Sequence, residues 1–182
     1  MINISKKYLG IDIKECEFLG GGCEGKVYLT PDGYALKIFK CKAKCEGEYD
    51  ILKKVEGSKY FPKIINASNR CILREYVPGQ MIKDYIVKNG LSEQLAVNLI
   101  DLIEEFKKLK FKRQDIRGKH IYVQDDESIM VIDPRKSYTK KVSVPISIIK
   151  DLEKIGVIDK FVQVLIDKRL DLAYLWLNSI NK

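Results

Sequence analysis

One stretch of the sequence, residues 112–138 (KRQDIRGKHIYVQDDESIMVIDPRKSY), most constrains what this chain can fold into. Two segments within it, 121–123 and 129–132, are short and rich in β-branched residues, and the polar residues between them are typical of a turn. The pattern therefore predicts a β-hairpin. Because a hairpin folds back on itself, residues just before its first strand should lie close to residues just after its second.

Three polar side chains flank this predicted hairpin: Asp115 and His120 precede it, and Asp133 follows it. Two carboxylates and an imidazole at one edge would suit a divalent cation, a proton acceptor, or both. For any single aspartate, a solvated acidic loop edge is the alternative interpretation. The hairpin thus predicts a candidate site at Asp115, His120 and Asp133.

The composition limits the classes of protein to consider. The 182 residues, 46% hydrophobic and 32% charged, suffice for one core or two small lobes of a soluble globular protein. The sequence has no run of 18 apolar residues, and its first ten residues contain no apolar signal core, so we expect a cytoplasmic protein without a membrane partner. Its five cysteines form no C-x-x-C pair, which favours reduced thiols.

The net charge of +8 favours anionic partners. The densest basic cluster, residues 107–113, overlaps the end of a helix predicted over 93–110, where cations suit the helix dipole. Because the sequence shows neither aromatic stacking platforms nor a known nucleic-acid module, we expect no nucleic-acid partner.

A glycine-rich segment, residues 20–27 (GGGCEGKV), fits the pattern G-x-G-x-x-G-x-V. The positions that match the pattern are Gly20, Gly22, Gly25 and Val27. A dinucleotide-binding turn would need a helix after the glycines, whereas here a strand continues into the turn signal of residues 31–33. The segment therefore predicts a glycine-rich hairpin, a pattern that ordinary hairpins also show.

The next strand and helix carry a candidate ion pair. In residues 35–38 (ALKI), Lys37 alternates with apolar residues and should face the opposite side of the strand from its neighbours. An apolar stripe predicts a helix over 42–55, which carries Glu48, with Glu46 as the rival partner for the lysine. From the residues alone, Lys37 either faces a nucleotide cleft or is solvated.

These segments together resemble the protein kinases. Residues 113–121 resemble the catalytic loop H-R-D-L-K-x-x-N, and residues 131–135 resemble the strand and D-F-G motif that follow it. The resemblance implies that Asp115 is the catalytic base, that Arg117 lies near the transferred phosphate, and that Asp133 binds Mg²⁺.

In the first half of the chain, residues 20–27 resemble the kinase glycine-rich loop and residues 34–38 the strand that carries V-A-I-K. The resemblance implies that this loop and Lys37 bind the phosphates of ATP, and that Glu48 holds Lys37 in place. Residues 73–79 (LREYVPG) resemble the hinge between kinase lobes, where the backbone of Glu75 and Val77 would bind adenine.

The implied fold class is α+β, a bilobal protein kinase-like fold. Residues 1–77 would form an N-lobe with a five-stranded antiparallel sheet and one helix, and residues 78–182 a truncated, mostly helical C-lobe. The part after Asp133 is short and contains no A-P-E motif, which resembles minimal, RIO-like atypical bacterial serine/threonine kinases. The predicted core of its last helices is Leu165, Leu170, Leu172, Leu175 and Trp176.

The leading hypothesis is an ATP-dependent serine/threonine protein kinase that acts on an unknown protein, on itself, or mainly as an ATPase. A small-molecule kinase of the aminoglycoside-phosphotransferase type is one alternative. The other is a nucleotide-binding pseudokinase scaffold, favoured by Arg113, His120 and Pro134 at positions where kinases have His, Asn and Phe. Residues 137–139 are the candidates for self-phosphorylation.

Two of these departures lead to specific expectations. His120 would bind a metal beside Asp133 and raise activity with Mn²⁺ over Mg²⁺, since imidazole suits softer divalent ions; a surface histidine without a metal role is the alternative. Because the residue before a proline avoids the helical region, Asp133 is expected to be extended and fixed.

Overall fold

The computed structural model describes residues 7–134 and 137–180. It confirms the predicted α+β class, with a five-stranded antiparallel sheet, smaller sheets and six α-helices among the described residues. The chain divides into two compact units, Met1–Val77 and Pro78–Lys182. The helices of the described residues include none that is both long and apolar enough to cross a membrane.

From residue 7 onward, the first unit contains one α-helix, α1 (Lys42–Lys54), and a 3₁₀ turn at Ile13–Glu15. Its seven strands, β1 to β7 in chain order, are Lys7–Tyr8, Ile11–Asp12, Glu17–Gly21, Gly25–Leu29, Tyr34–Phe39, Ile64–Ser68 and Cys71–Glu75. Strands β1 and β2 form a small hairpin, and the other five form a sheet in the order β3-β4-β5-β7-β6 with every pair antiparallel.

The strands of the five-stranded sheet agree with the sequence pattern except at β6, and the hairpin of β1 and β2 was not predicted. Residues 61–65 (FPKII) form an apolar run that would suit a strand, but β6 begins at Ile64. Pro62 has no N–H to donate to a ladder, and it is buried together with Phe61 beside the sheet. The apolar pair therefore contributes to the core ahead of the strand.

The core of the first unit lies on both sides of β5. Leu36, Cys71 and Leu73 pack on one side with partly buried residues from β1, β2 and the turn after them. Helix α1 buries Cys45 and Leu52, and the helix ends at Val55, which is buried too. Strand β5 is thus covered by side chains on both faces, which fits its run of buried positions.

In its described residues, the second unit contains five α-helices, a 3₁₀ turn at Gly118–His120 and a small sheet. The helices α2 to α6 are Ile82–Asn89, Glu93–Lys108, Ile146–Lys154, Ile158–Lys168 and Leu170–Ile180. The strands β8 to β10 are Gln80–Met81, Ile121–Val123 and Ile129–Val131. The predicted hairpin is confirmed as β9 and β10, and β8 adds a third antiparallel strand to it.

Helix α3 forms the centre of the second unit. Its predicted cap is confirmed, because the Ser92 hydroxyl accepts a hydrogen bond from the Leu95 amide at 2.9 Å. The buried stripe of α3 follows the helical period as predicted. Its buried residues are Leu95, Ala96, Leu99, Ile100, Leu102, Ile103 and Phe106.

The predicted core of the last helices is only partly right. Leu165, Leu172 and Trp176 are buried, but Leu170 is 54% exposed and Leu175 is 46% exposed. The buried stripe of α6 runs through Leu172 and Trp176, four residues apart. Leu170 lies two residues before Leu172, about 200° around the helix, and Leu175 is about 100° from Trp176. Leucine content alone therefore overestimated the apolar face.

The pairing of β4 with β5 leaves no room for a side chain at Gly25, the first residue of β4. A Cβ built on Gly25 would lie 2.0 Å from the carbonyl oxygen of Ile38 in the paired strand β5. By contrast, a Cβ on Gly22 or on Gly47 in α1 would meet no heavy atom within 4 Å. The close approach of two backbones is thus a structural reason for glycine at position 25.

We predict that Gly25→Ala lowers the free energy of unfolding by about 1–3 kcal/mol, because the added methyl group must push β4 and β5 apart. Gly47→Ala is the matched control and should raise it by roughly 0.5–1 kcal/mol, since alanine is the better helix residue. Urea denaturation followed by circular dichroism measures both changes. Equal stabilities of Gly25→Ala and the parent protein would contradict the packing argument.

Candidate active site

Strand β5 and helix α1 bring a buried lysine and a buried glutamate together. Lys37 Nζ donates a hydrogen bond to Glu48 Oε2 at 2.5 Å, and the two residues are 7% and 6% exposed. Lys37 Nζ also lies 4.9 Å from the centre of the Phe39 ring. The rival, Glu46, is exposed and pairs with Lys42 within α1. The structure therefore excludes the interpretation of Lys37 as a solvated surface lysine.

A buried cysteine lies one helical turn from this pair. Cys45, one helical turn before Glu48, is buried, and burial raises the pKa of its thiol to about 11. Cys45 Sγ donates to the carbonyl of Ser68 in β6. The described cysteines are all free, and Cys45 is a protonated packing residue at neutral pH.

The glycine-rich segment forms the hairpin that joins β3 to β4. The Gly22 amide donates to the Gly25 carbonyl at 2.9 Å and closes the tip of the hairpin. Gly22 is exposed with open space around its Cα, and Gly20 lies beside a bulge in the pairing of β3 with β4. Val27, the last residue of the pattern, pairs with Lys37 in β5, so the ladder connects the loop to the lysine.

The predicted hinge residues lie at the end of β7. The Glu75 amide donates to the Lys63 carbonyl at 2.9 Å, and the Glu75 carboxylate accepts from the Lys63 amide at 3.0 Å. The Arg74 guanidinium donates to the Glu75 carbonyl. Val77 is buried and, within residues 7–134 and 137–180, its amide makes no hydrogen bond to the protein. Since the Glu75 amide is already bonded to Lys63, the Val77 amide is the one that could donate to a ligand.

Asp115, in the second unit, is 9% exposed and its carboxylate is held by two residues. Oδ1 accepts from the Ser147 amide at 2.8 Å. Oδ2 accepts from the Ser147 hydroxyl at 2.8 Å and from the Arg113 guanidinium at 3.2 Å. Because Pro145 at the start of α4 makes no side-chain cap, the Asp115 carboxylate caps this helix from outside.

The backbone around Asp115 is also held. The Arg113 side chain donates to the Asp115 carbonyl at 2.9 Å. The Gln114 amide donates to the Val142 carbonyl at 2.7 Å, and the Val142 amide donates to the Lys112 carbonyl at 2.9 Å. A short parallel bridge thus fixes the predicted catalytic loop against the segment that leads to α4.

Sequence reasoning missed the role of two residues here. Ser147 contacts both carboxylate oxygens of Asp115, although 32 positions separate them in the chain. Arg113 was noted only as a departure from the kinase histidine, whereas it pairs with Asp115. A serine in the first turn of a predicted helix was the available signal for Ser147. Arg117 is exposed beside Ser147 and lines a cavity with it.

His120 and Asp133 lie at one end of the β9–β10 hairpin. Nδ1 of His120 and Oδ2 of Asp133 are 3.9 Å apart, and both side chains are mostly buried. The Ile132 amide donates to the His120 carbonyl at 2.9 Å, which holds the two segments together. The predicted proximity of these two residues is therefore present in the structure.

The expected extended conformation of Asp133 is wrong. Its φ is +60°, in the left-handed region that few non-glycine residues adopt. The preference of a residue before proline is statistical, and here the neighbouring Ile132–His120 hydrogen bond fixes where the chain turns. The third residue of the D-F-G-like segment, Arg135, lies outside the described residues.

The donor atoms at His120 and Asp133 fit a divalent cation. Two ligand atoms 3.9 Å apart can share one ion, since bonds of about 2.1 Å on each side span up to about 4.2 Å. An imidazole with a carboxylate suits Mn²⁺ better than Mg²⁺, which prefers oxygen. The pair can equally act as an ion pair when His120 is protonated.

The three candidates for self-phosphorylation differ in exposure. Ser137 is buried, whereas Thr139 is exposed. The Tyr138 hydroxyl donates to the Leu109 carbonyl, its ring packs against Phe111, and burial raises the pKa of its phenol. Thr139 is therefore the most accessible hydroxyl of the three.

Comparison with known proteins gives one informative result. The chain is similar to a protein of Bacillus subtilis (strain 168) named "Putative serine/threonine-protein kinase YrzF", with 23% identity over 126 residues. The match covers 66% of this chain and 59% of that protein, so the chain spans about three fifths of its relative. No family model matches the chain. The similarity indicates a kinase-like relationship at long evolutionary distance.

We predict that Asp115→Ala lowers the free energy of unfolding of the second unit by about 2 kcal/mol, because the Ser147 and Arg113 donors lose their acceptor. Ser147→Ala removes one hydroxyl and should cost about 1 kcal/mol. Urea denaturation followed by the fluorescence of Trp176 measures both.

Asp101→Ala is the control for these variants. Asp101 is exposed on α3 and has no side-chain hydrogen bond or ion pair to any residue that the structure describes. Its replacement should change stability by less than about 0.5 kcal/mol. If Asp115→Ala is no less stable than Asp101→Ala, Asp115 does not cap α4.

Proposed function

We propose that this protein is an ATP-dependent phosphotransferase of the kinase-like type, and that its acceptor is a serine or threonine hydroxyl of a protein. The observation that carries the proposal is the buried ion pair of Lys37 with Glu48. A lysine fixed by a glutamate presents a positive charge at a constant position, which binding and orienting a polyphosphate requires.

In the first unit, Lys37 and the amides of the Gly20–Gly25 hairpin would neutralise the phosphates of ATP. The exposed Gly22 lets the tip of this hairpin approach a ligand without steric hindrance. The free amide of Val77 is the candidate donor to the adenine edge. Each of these groups acts by position and charge, which is the main demand of phosphoryl transfer.

In the second unit, Asp115 would accept the proton of the substrate hydroxyl. Its Oδ2 already accepts two hydrogen bonds, whereas Oδ1 accepts one, from the Ser147 amide. Oδ1 therefore keeps a lone pair for the incoming hydroxyl. A divalent cation held by Asp133 and His120 would add charge neutralisation when bound. Arg117 would lie near the transferred group.

A nucleotide-binding scaffold without transfer activity is the second candidate. The specific observation in its favour is the engagement of both Asp115 oxygens by Ser147, a structural role that needs no catalysis. An aminoglycoside-type activity is disfavoured, because a cationic substrate would be repelled by the four lysines and one arginine that line the cavity with Ser147.

We predict that the full chain transfers label from radiolabelled ATP to itself or to a generic protein substrate. Asp115→Asn keeps an oxygen for the helix cap and should lower the rate by about 10²–10⁴-fold, because an amide accepts no proton. Lys37→Met should weaken nucleotide binding, measured separately with a fluorescent ATP analogue. Asp101→Ala should retain the parent activity.

The outcomes separate the two candidates. Nucleotide binding that depends on Lys37, without any transfer or hydrolysis, would identify a scaffold and contradict the enzymatic proposal. Failure to bind nucleotide would contradict both. Label on serine or threonine after acid hydrolysis identifies the acceptor, and label on a small molecule alone would exclude the protein substrate.

We predict that the parent protein is more active with Mn²⁺ than with Mg²⁺ and that His120→Asn lowers this ratio by about tenfold, since the imidazole ligand is replaced by an oxygen ligand. Transfer rates with each ion, measured on the parent and on His120→Asn, give the two ratios. The same ratio in both proteins would mean that His120 binds no metal.

A further inference from the structure

The second unit contains an open cavity of about 460 Å³, lined by the end of β8, the start of α2, the predicted catalytic loop and α4. Five cationic side chains line it, together with two carboxylates, those of Asp84 and Asp151. The cations are Lys83, Arg117, Lys119, Lys150 and Lys154. A concave surface with this excess of one sign concentrates ligands of the opposite sign.

The cations of this basic cavity outnumber its carboxylates. Among the residues that the structure describes, none of the five forms an ion pair. The Asp151 carboxylate instead bonds to the backbone: its Oδ2 accepts a hydrogen bond from the Gly118 amide at 3.1 Å. A Cβ on Gly118 would lie 2.9 Å from that same oxygen, so this contact needs a residue without a side chain. The cavity therefore keeps an excess of positive charge.

Two of the cations lie one helical turn apart. Lys150 and Lys154 are positions i and i+4 of α4, so their like charges disfavour the helix by a few tenths of a kcal/mol. Both are exposed and neither packs in the core. The helix dipole favours Lys154, which lies in the last turn of α4, but gives no such reason for Lys150. An anionic ligand in the cavity would remove the repulsion between the two lysines.

The basic cavity adjoins the proposed catalytic aspartate. Ser147 lines the cavity and contacts both carboxylate oxygens of Asp115. Arg117, two residues after Asp115, lines it as well. A substrate whose hydroxyl reaches Asp115 would therefore place its neighbouring groups among these lysines.

We propose that the basic cavity binds the acidic residues that flank the phosphorylated serine or threonine of a protein substrate. This inference rests on the proposed function and adds its substrate class. Lysines supply mobile point charges that suit carboxylates at variable positions, and only one arginine is present for bidentate binding of a phosphate group. Base stacking would need aromatic side chains, and the cavity lining contains none.

Binding and transfer test the proposal separately. Three fluorescent peptides carry one central serine flanked by Asp and Glu, by Asn and Gln, or by Lys. Anisotropy without nucleotide should show the acidic peptide binding about tenfold more tightly than the neutral one, with a difference that shrinks as salt increases. The kcat/KM for transfer should follow the same order.

Lys150→Glu/Lys154→Glu should abolish this preference. Lys88→Glu/Lys108→Glu is the matched control: both lysines are exposed in the last turns of α2 and α3, away from the cavity, and the preference should remain. Circular dichroism verifies that both double variants are folded. The single variants Lys150→Gln and Lys154→Gln repeat the test without charge reversal.

Several outcomes would overturn the proposal. Equal binding of the acidic and neutral peptides, or a preference equally lost in both double variants, would show that the cavity does not select acidic residues. Tighter binding of a single-stranded oligonucleotide that depends on Lys150 and Lys154 would assign the cavity to nucleic acid. Selective peptide binding without any transfer would instead contradict the proposed function and leave the cavity assignment standing.

Discussion

The first unit depends on one interaction, the buried ion pair of Lys37 with Glu48. Removing each charge from water costs several kcal/mol, and loss of either partner would leave the other uncompensated. Apolar residues of similar size often give equal or greater stability at such positions, so stability alone does not account for the pair. A ligand that needs a fixed positive charge does account for it, and a polyphosphate is such a ligand.

Asp115 has an equally constrained position in the second unit, but there one carboxylate serves two purposes. It caps α4 through the amide and hydroxyl of Ser147, and it is the residue proposed to accept a proton. Helix α4 carries Lys150 and Lys154, so the same contact sets the distance between the proton acceptor and the basic cavity. Any shift of α4 would therefore alter substrate position and catalytic geometry together.

The sequence predicted elements whose pattern is local and missed features that depend on distant residues. The alternation in β5, the stripe of α1 and the serine cap of α3 are encoded within a few positions, and all three elements are present. The contact of Ser147 with Asp115 spans 32 positions and leaves no periodic trace. The left-handed Asp133 contradicts a neighbour preference, because tertiary hydrogen bonds are stronger than the preference of one dipeptide.

The glycine-rich segment shows why a motif and its physical cause have to be separated. Gly25 matches a phosphate-binding pattern, yet the backbone of β5 leaves no room for a side chain there, whether or not a nucleotide binds. A Cβ on Gly22 would meet no heavy atom within 4 Å, so packing does not require a glycine at that position. A preference for glycine at 22 would therefore reflect close approach of a ligand, whereas one at 25 reflects the sheet. The case for nucleotide binding therefore rests on Gly22, at the tip of the β3–β4 hairpin, together with Lys37 in β5, the strand that pairs with β4.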